Sequence, residues 1–100
     1  MDKLQEKQAK ITKQCGFHND LVALGLGASA EIGELSDYIA KYSNLKKPKP
    51  GDDMSNLKDK IAYECADVLV YILQIANELG FNLEEVYDEK CIHLLERHKK

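Results

Sequence analysis

The sequence predicts an all-α fold, a four-helix bundle. Three observations predict it. Apolar residues recur at helical spacing through most of the 100 residues, no segment alternates as a half-buried strand would, and the breaks fall on stretches bearing glycine and proline. A chain of this length makes one domain, residues 1–100. It buries roughly 60–70% of its unfolded surface alone, so oligomerisation would add useful core.

Leu4, Gln8, Ile11 and Cys15 share one face of a first helix over residues 3–15, and Gly16 stands where a left-handed C-terminal cap is expected. Asn19 or Asp20 caps a second helix, in which Leu21, Leu24, Ala28, Ile32, Leu35 and Ile39 keep one apolar face to about Tyr42. Gly25, Gly27 and Gly33 interrupt it, each at a cost of about 1 kcal/mol relative to alanine. Close approach of another helix, or a bend near Gly25-Leu26-Gly27, would compensate. A phosphate-cradling glycine loop is disfavoured, because no strand precedes these residues and no Gly-Lys-Ser/Thr follows.

Residues 43–53 carry two prolines, a glycine and three lysines, and form a connection whose Lys46, Lys47 and Lys49 could reach toward a phosphate chain. Asp53 or Ser55 starts the third helix, which runs to Leu79 with Ile61, Cys65, Val68, Ile72, Ile75 and Leu79 as its stripe, and Gly80 stops it. Asn82 caps the fourth, residues 83–98, with Glu85 as its capping-box partner and Phe81 placed to staple onto Val86.

The net charge of −3 is spread along the chain, which argues against a broad surface for nucleic-acid polymers. The charged N-terminus lacks a signal-peptide core and no apolar run approaches about 18 residues, so a cytoplasmic protein without membrane association is expected. Cys15, Cys65 and Cys91 fit no paired framework and read as reduced, mostly buried thiols.

Chemistry concentrates in two turns, Glu31-Ile32-Gly33-Glu34 and Glu64-Cys65-Ala66-Asp67. Positions three apart on a helix lie about 60° apart around the axis and about 4.5 Å along it, so both acids of a pair can touch one ion. Each pair flanks the apolar stripe, which puts all four acids where the long helices face each other. Their repulsion opposes folding unless a divalent cation, water or basic side chains offset it. Hard oxygen ligands suit magnesium, or manganese. A di-iron centre would want Glu-x-x-His, and His18, His93 and His98 provide none.

Glu-x-x-Glu, a gap, then Glu-x-x-Asp on successive helices resembles the MazG-like all-α nucleoside triphosphate pyrophosphohydrolase superfamily, which includes dUTPase-like and dCTP-pyrophosphatase-like enzymes. The likeness covers nearly the whole chain, from Leu21-Val22-Ala23-Leu24 through Glu34-Leu35 and Asp67-Val68-Leu69 to Gly80-Phe81-Asn82-Leu83. The 29 residues between Glu34 and Glu64 reach the long end of the family's usual gap. In the fourth helix, where the family commonly shows lysine, asparagine and a basic residue, this chain has Lys90, His93 and Arg97.

The resemblance implies that Glu31, Glu34, Glu64 and Asp67 bind magnesium, that the metal holds a nucleoside triphosphate, and that water releases the monophosphate and pyrophosphate. Glu34 is the candidate for accepting that water's proton. Lys90 and Arg97, two turns apart, are candidates for phosphate contacts, with His93 between them. His18 and Asn19 are candidates for base or ribose. Tyr38 and Tyr71 read first as core residues and second as base-stacking ones. The resemblance also implies a homodimer or homotetramer, and the Gly-rich, apolar second helix agrees. The competing reading is a non-catalytic helical oligomer, an interaction or regulatory module whose acids hold a structural ion. A phosphoribosyl-ATP type of substrate is a further variant of the enzyme reading, which no residue selects.

Overall fold

The computed structural model describes residues 3–17, 20–45, 47–51 and 54–99. Its elements are four helices, α1 (Lys3–Cys15), α2 (Leu21–Tyr42), α3 (Leu57–Leu79) and α4 (Leu83–Arg97), and no strand occurs among the described residues. α2 and α3 form the central pair, α1 lies against α3, and α4 departs from that layer and touches the others sparingly. The protomer is accordingly flat, 48 × 45 × 23 Å. None of its helices, over the described residues, is long and apolar enough to cross a membrane.

The helix ends follow local chemistry. Gly16 (φ 68°) turns α1 back so that the Phe17 N–H donates to the Thr12 carbonyl at 3.1 Å. Asp20 is the residue that caps α2, its Oδ1 accepting from the Val22 N–H at 3.0 Å. At the other end of α2, Asn44 takes a left-handed conformation (φ 59°) and the Leu45 N–H closes onto the Ala40 carbonyl. Gly80 (φ 78°) ends α3, with the N–H groups of Gly80 and Phe81 both donating to the Ala76 carbonyl. Asn82 Oδ1 accepts from the Glu85 N–H at 3.1 Å and so caps α4, as expected.

The start of α3 differs from expectation. Asp53 lies outside the described residues, and Ser55 sits in the turn ahead of the helix. Asn56 precedes Leu57 in a left-handed conformation (φ 55°) without a side-chain cap bond.

Burial corrects several readings. The inner face of α1 is its glutamine face: Gln5 and Gln8 are buried, while Leu4, Ile11 and Cys15 are exposed. Leu24, Leu73 and Ala76 are the buried apolar side chains among the described residues. Leu21, Ile32 and Ile39 of the α2 stripe and Cys65, Ile72 and Leu79 of the α3 stripe are exposed in the protomer. The thiols are free, but Cys15 and Cys65 are exposed and Cys91 half-buried rather than enclosed.

Close approach rather than a bend accounts for one glycine. α2 is continuous, and a Cβ on Gly27 would overlap the Tyr71 ring of α3, 2.6 Å from Cζ and 2.8 Å from the phenol oxygen. Gly25 and Gly33 face open space. Gly27 opposite Tyr71 and Glu31 beside Glu64 fix α2 and α3 as antiparallel.

Gln5, fully buried, joins α1 to the corner between α3 and α4. Its Nε2 donates to Asn77 Oδ1 (3.2 Å) and to the Phe81 carbonyl (2.8 Å), its Oε1 accepts from the Leu83 N–H (2.7 Å), and its own carbonyl accepts from Asn77 Nδ2 (3.0 Å). Replacing it with an apolar residue of similar size leaves several part-buried polar groups without partners. Gln5→Met should therefore lower the unfolding free energy by about 2–4 kcal/mol in urea denaturation. A change within about 0.5 kcal/mol would show that water takes over those bonds.

Candidate metal centre

The antiparallel seam between α2 and α3 brings acids from two distant turns together. Carboxylate oxygens of Glu31, Glu34 and Glu64 all lie within 4.8 Å of one another, Glu31 and Glu64 half-buried and Glu34 exposed. Glu31 and Glu34 are one helical turn apart on α2, which is why both reach the single glutamate supplied by α3.

The carboxyl groups perturb one another. The Glu64 carboxyl is raised from an ordinary 4.5 to about 7, first by a hydrogen bond with Glu31, then by burial, then by the charges of Glu31, Glu34 and Asp67. That bond exists only while one of the pair carries a proton. With both ionised, the buried Oε2 atoms of Glu31 and Glu64 have no hydrogen-bond partner.

Asp67 stands outside the converging trio. It lines, with Glu31, a cleft of about 410 Å³ whose walls include Leu24, Tyr71, Phe17 and Gln74. On the other side of the acids, Glu34 opens into a cleft with Tyr38 and Lys41, and Glu64 into one with Tyr38, Tyr63 and Lys60. Lys41 pairs with Asp37 at 3.0 Å.

The other sequence candidates fare unevenly. His18 and Asn19, expected near base or ribose, lie outside the described residues, as does Lys46 of the basic connection. Lys90, His93 and Arg97 are exposed on α4 and line none of the three clefts into which the acids open. His93 Nε2 is 3.8 Å from the Glu89 carboxylate one turn earlier. Phe17, Gln74 and Lys60 were not singled out from the sequence. For Gln74 a signal existed, a polar residue inside the apolar run Val68–Ile75.

A family model for the MazG nucleotide pyrophosphohydrolase domain matches residues 22–100, which take in both acid turns and α2, α3 and α4 almost entirely. The chain belongs to that family. No curated protein and no solved structure gives a significant match. Membership points to nucleotide pyrophosphohydrolase chemistry on nucleoside triphosphates. α1, with its buried glutamines, lies ahead of the part of this MazG chain that the family model covers.

A hard divalent cation fits the MazG chain's acid cluster on two grounds. The donor set is oxygen only, and two of its oxygens are buried without partners once ionised.

The sign of the pH effect follows from Glu64. Its folded value of about 7 lies above the ordinary 4.5, so the folded chain holds a proton that the unfolded chain releases. This contribution to stability is full below 4.5 and is lost as pH rises through 7. In chelator-treated protein the melting temperature should fall across that interval, and Glu64→Gln should flatten the fall. An equal slope in both proteins would mean that other groups govern it.

Proposed function

We propose that this protein hydrolyses (deoxy)nucleoside triphosphates to the monophosphate and pyrophosphate with magnesium, or manganese, held by Glu31, Glu34, Glu64 and Asp67. The convergence of three carboxylates within 4.8 Å, two of them with buried oxygens lacking partners, carries the reading. Family membership supports the reaction type. Asp67 joins the set because its charge acts on Glu64 and it shares a cleft with Glu31.

A bound magnesium would supply charge neutralisation and Lewis acidity toward the phosphate oxygens. The chain's own residues do the rest. Glu34, the exposed member of the trio, takes a proton from the attacking water as its oxygen bonds to the α-phosphorus and the bond from that phosphorus to the bridging oxygen breaks. Lys60 and Lys41, on the walls of the clefts opening from Glu64 and Glu34, offset charge on the departing pyrophosphate. Lys90 and Arg97 reach phosphate from a second protomer, which suits their position on an exposed helix.

The assembly is a homodimer or homotetramer. Val22, Leu26, Ile32, Leu69, Leu79 and Leu95 are exposed apolar residues spread over α2, α3 and α4, more than a protomer leaves in water without a partner. House-cleaning of surplus or non-canonical nucleotides in the cytoplasm is the role that fits.

Incubation with each nucleoside triphosphate and magnesium should yield pyrophosphate and the monophosphate. Glu34→Gln should lower kcat by at least about 100-fold without unfolding the protein. Chelation should abolish turnover, and manganese should restore it. Absence of turnover with every triphosphate would favour the non-catalytic module. Light scattering should give two or four times the mass of one chain; a monomer at micromolar concentration would overturn the assembly.

A further inference from the structure

Gln74 separates two clefts. The cleft of about 410 Å³ runs from Glu31 and Asp67 past Tyr71 and Leu24 to Gln74. A second, of about 400 Å³, lies beyond it between α1 and α3, with Thr12, Lys13 and Asn77 in its walls. Gln74 and Phe17 line both.

Buried primary amides are normally satisfied, because each carries two donor hydrogens and an acceptor oxygen. Three glutamines are buried. Gln5 spends both ends of its amide on Asn77, Phe81 and Leu83, and Gln8 donates to Thr12 Oγ1 at 3.1 Å. Gln74, 7% exposed, makes one hydrogen bond among the described residues, from Nε2 to the Val70 carbonyl at 3.4 Å. That is long for an N–H to oxygen bond. Asn77, one turn further along, is engaged by Gln5 at both its oxygen and its nitrogen.

Position adds direction. Asp67, Tyr71 and Gln74 follow one another along a single face of α3, and the seven residues from Asp67 to Gln74 make two turns, about 10.5 Å. The cleft between them is aromatic and aliphatic along its walls, with an amide at its far end. The clefts on the opposite side of the acids carry Lys41 and Lys60. A ligand that is anionic at one end, flat and apolar on its faces, and polar along its far edge matches this gradient.

We propose that Gln74 is a specificity-determining residue that reads the edge of the substrate's nucleobase, with the base beside Tyr71 and Phe17 and the phosphates running back to the carboxylates. This rests on the triphosphate reading above. An amide presents a donor beside an acceptor, the arrangement that pairs bidentately with the polar edge of a base.

The test compares the wild type with Gln74→Met and Gln74→Glu on triphosphates of the four DNA bases and uracil. It adds titration of the 15N-labelled wild type with each deoxynucleoside monophosphate, with and without magnesium. Gln74→Met should lower kcat/KM on the favoured base about 10-fold or more, chiefly through KM, and flatten the preference. Gln74→Glu, which can only accept when ionised, should move preference toward the bases with an exocyclic amino group, cytosine, adenine and guanine, and away from thymine and uracil. The Gln74 side-chain amide resonances should shift with the favoured monophosphate. Base ratios unchanged within about twofold in both variants, with the amide unshifted, would overturn the assignment while hydrolysis stands. A wild type that neither hydrolyses any triphosphate nor binds any monophosphate would remove the hydrolysis reading, and this assignment with it.

Discussion

Mutual repulsion among carboxylates is the constraint around which the α2–α3 pair is arranged. Three carboxyl groups meet within 4.8 Å, and that of Glu64 is pushed up to about 7, first by its hydrogen bond with Glu31, then by burial and the neighbouring charges. Such a cluster opposes helix pairing, so the rest of the seam must compensate through contacts that carry no charge. Tyr71 against Gly27, with buried Leu24 lining the same cleft as Tyr71, supplies such contacts. Gly27 costs α2 some intrinsic helicity and returns it as room for an aromatic ring one turn from the acids.

Much of this architecture was legible in the residues. Gly16, Asp20, Gly80 and Asn82 mark helix ends through local bonds that depend only on near neighbours, which is why the limits of α1 and α2, the end of α3 and the start of α4 fall where they were expected. The acid turns were legible for a related reason: spacing alone puts Glu31 with Glu34 on one face, and only their meeting with Glu64 needed the tertiary fold. Asn56 gave no comparable signal, since its left-handed backbone precedes α3 without a side-chain bond.

Burial was read less well, because periodicity marks an apolar face without naming what covers it. Ile32, Ile39 and Ile72 have the right spacing for a core and are exposed in the protomer. In α1 the error ran the other way. Gln5 lies inside because its partners, the Asn77 amide and the backbone at Phe81 and Leu83, are more than seventy residues away in sequence. No local pattern reveals a polar residue whose bonds are all made at that distance.

The same separation bears on how the chain matures. During synthesis the first helix emerges long before the corner it binds, so until residue 83 has cleared the ribosome, Gln5 has no complete set of acceptors and donors to dock onto. A nascent chain stalled short of that corner would hold α1 against α3 with only the Asn77 half of the Gln5 bonds made, a looser form more open to proteases and chaperones. Closure of the clasp thus reports that translation has passed the last turn before α4.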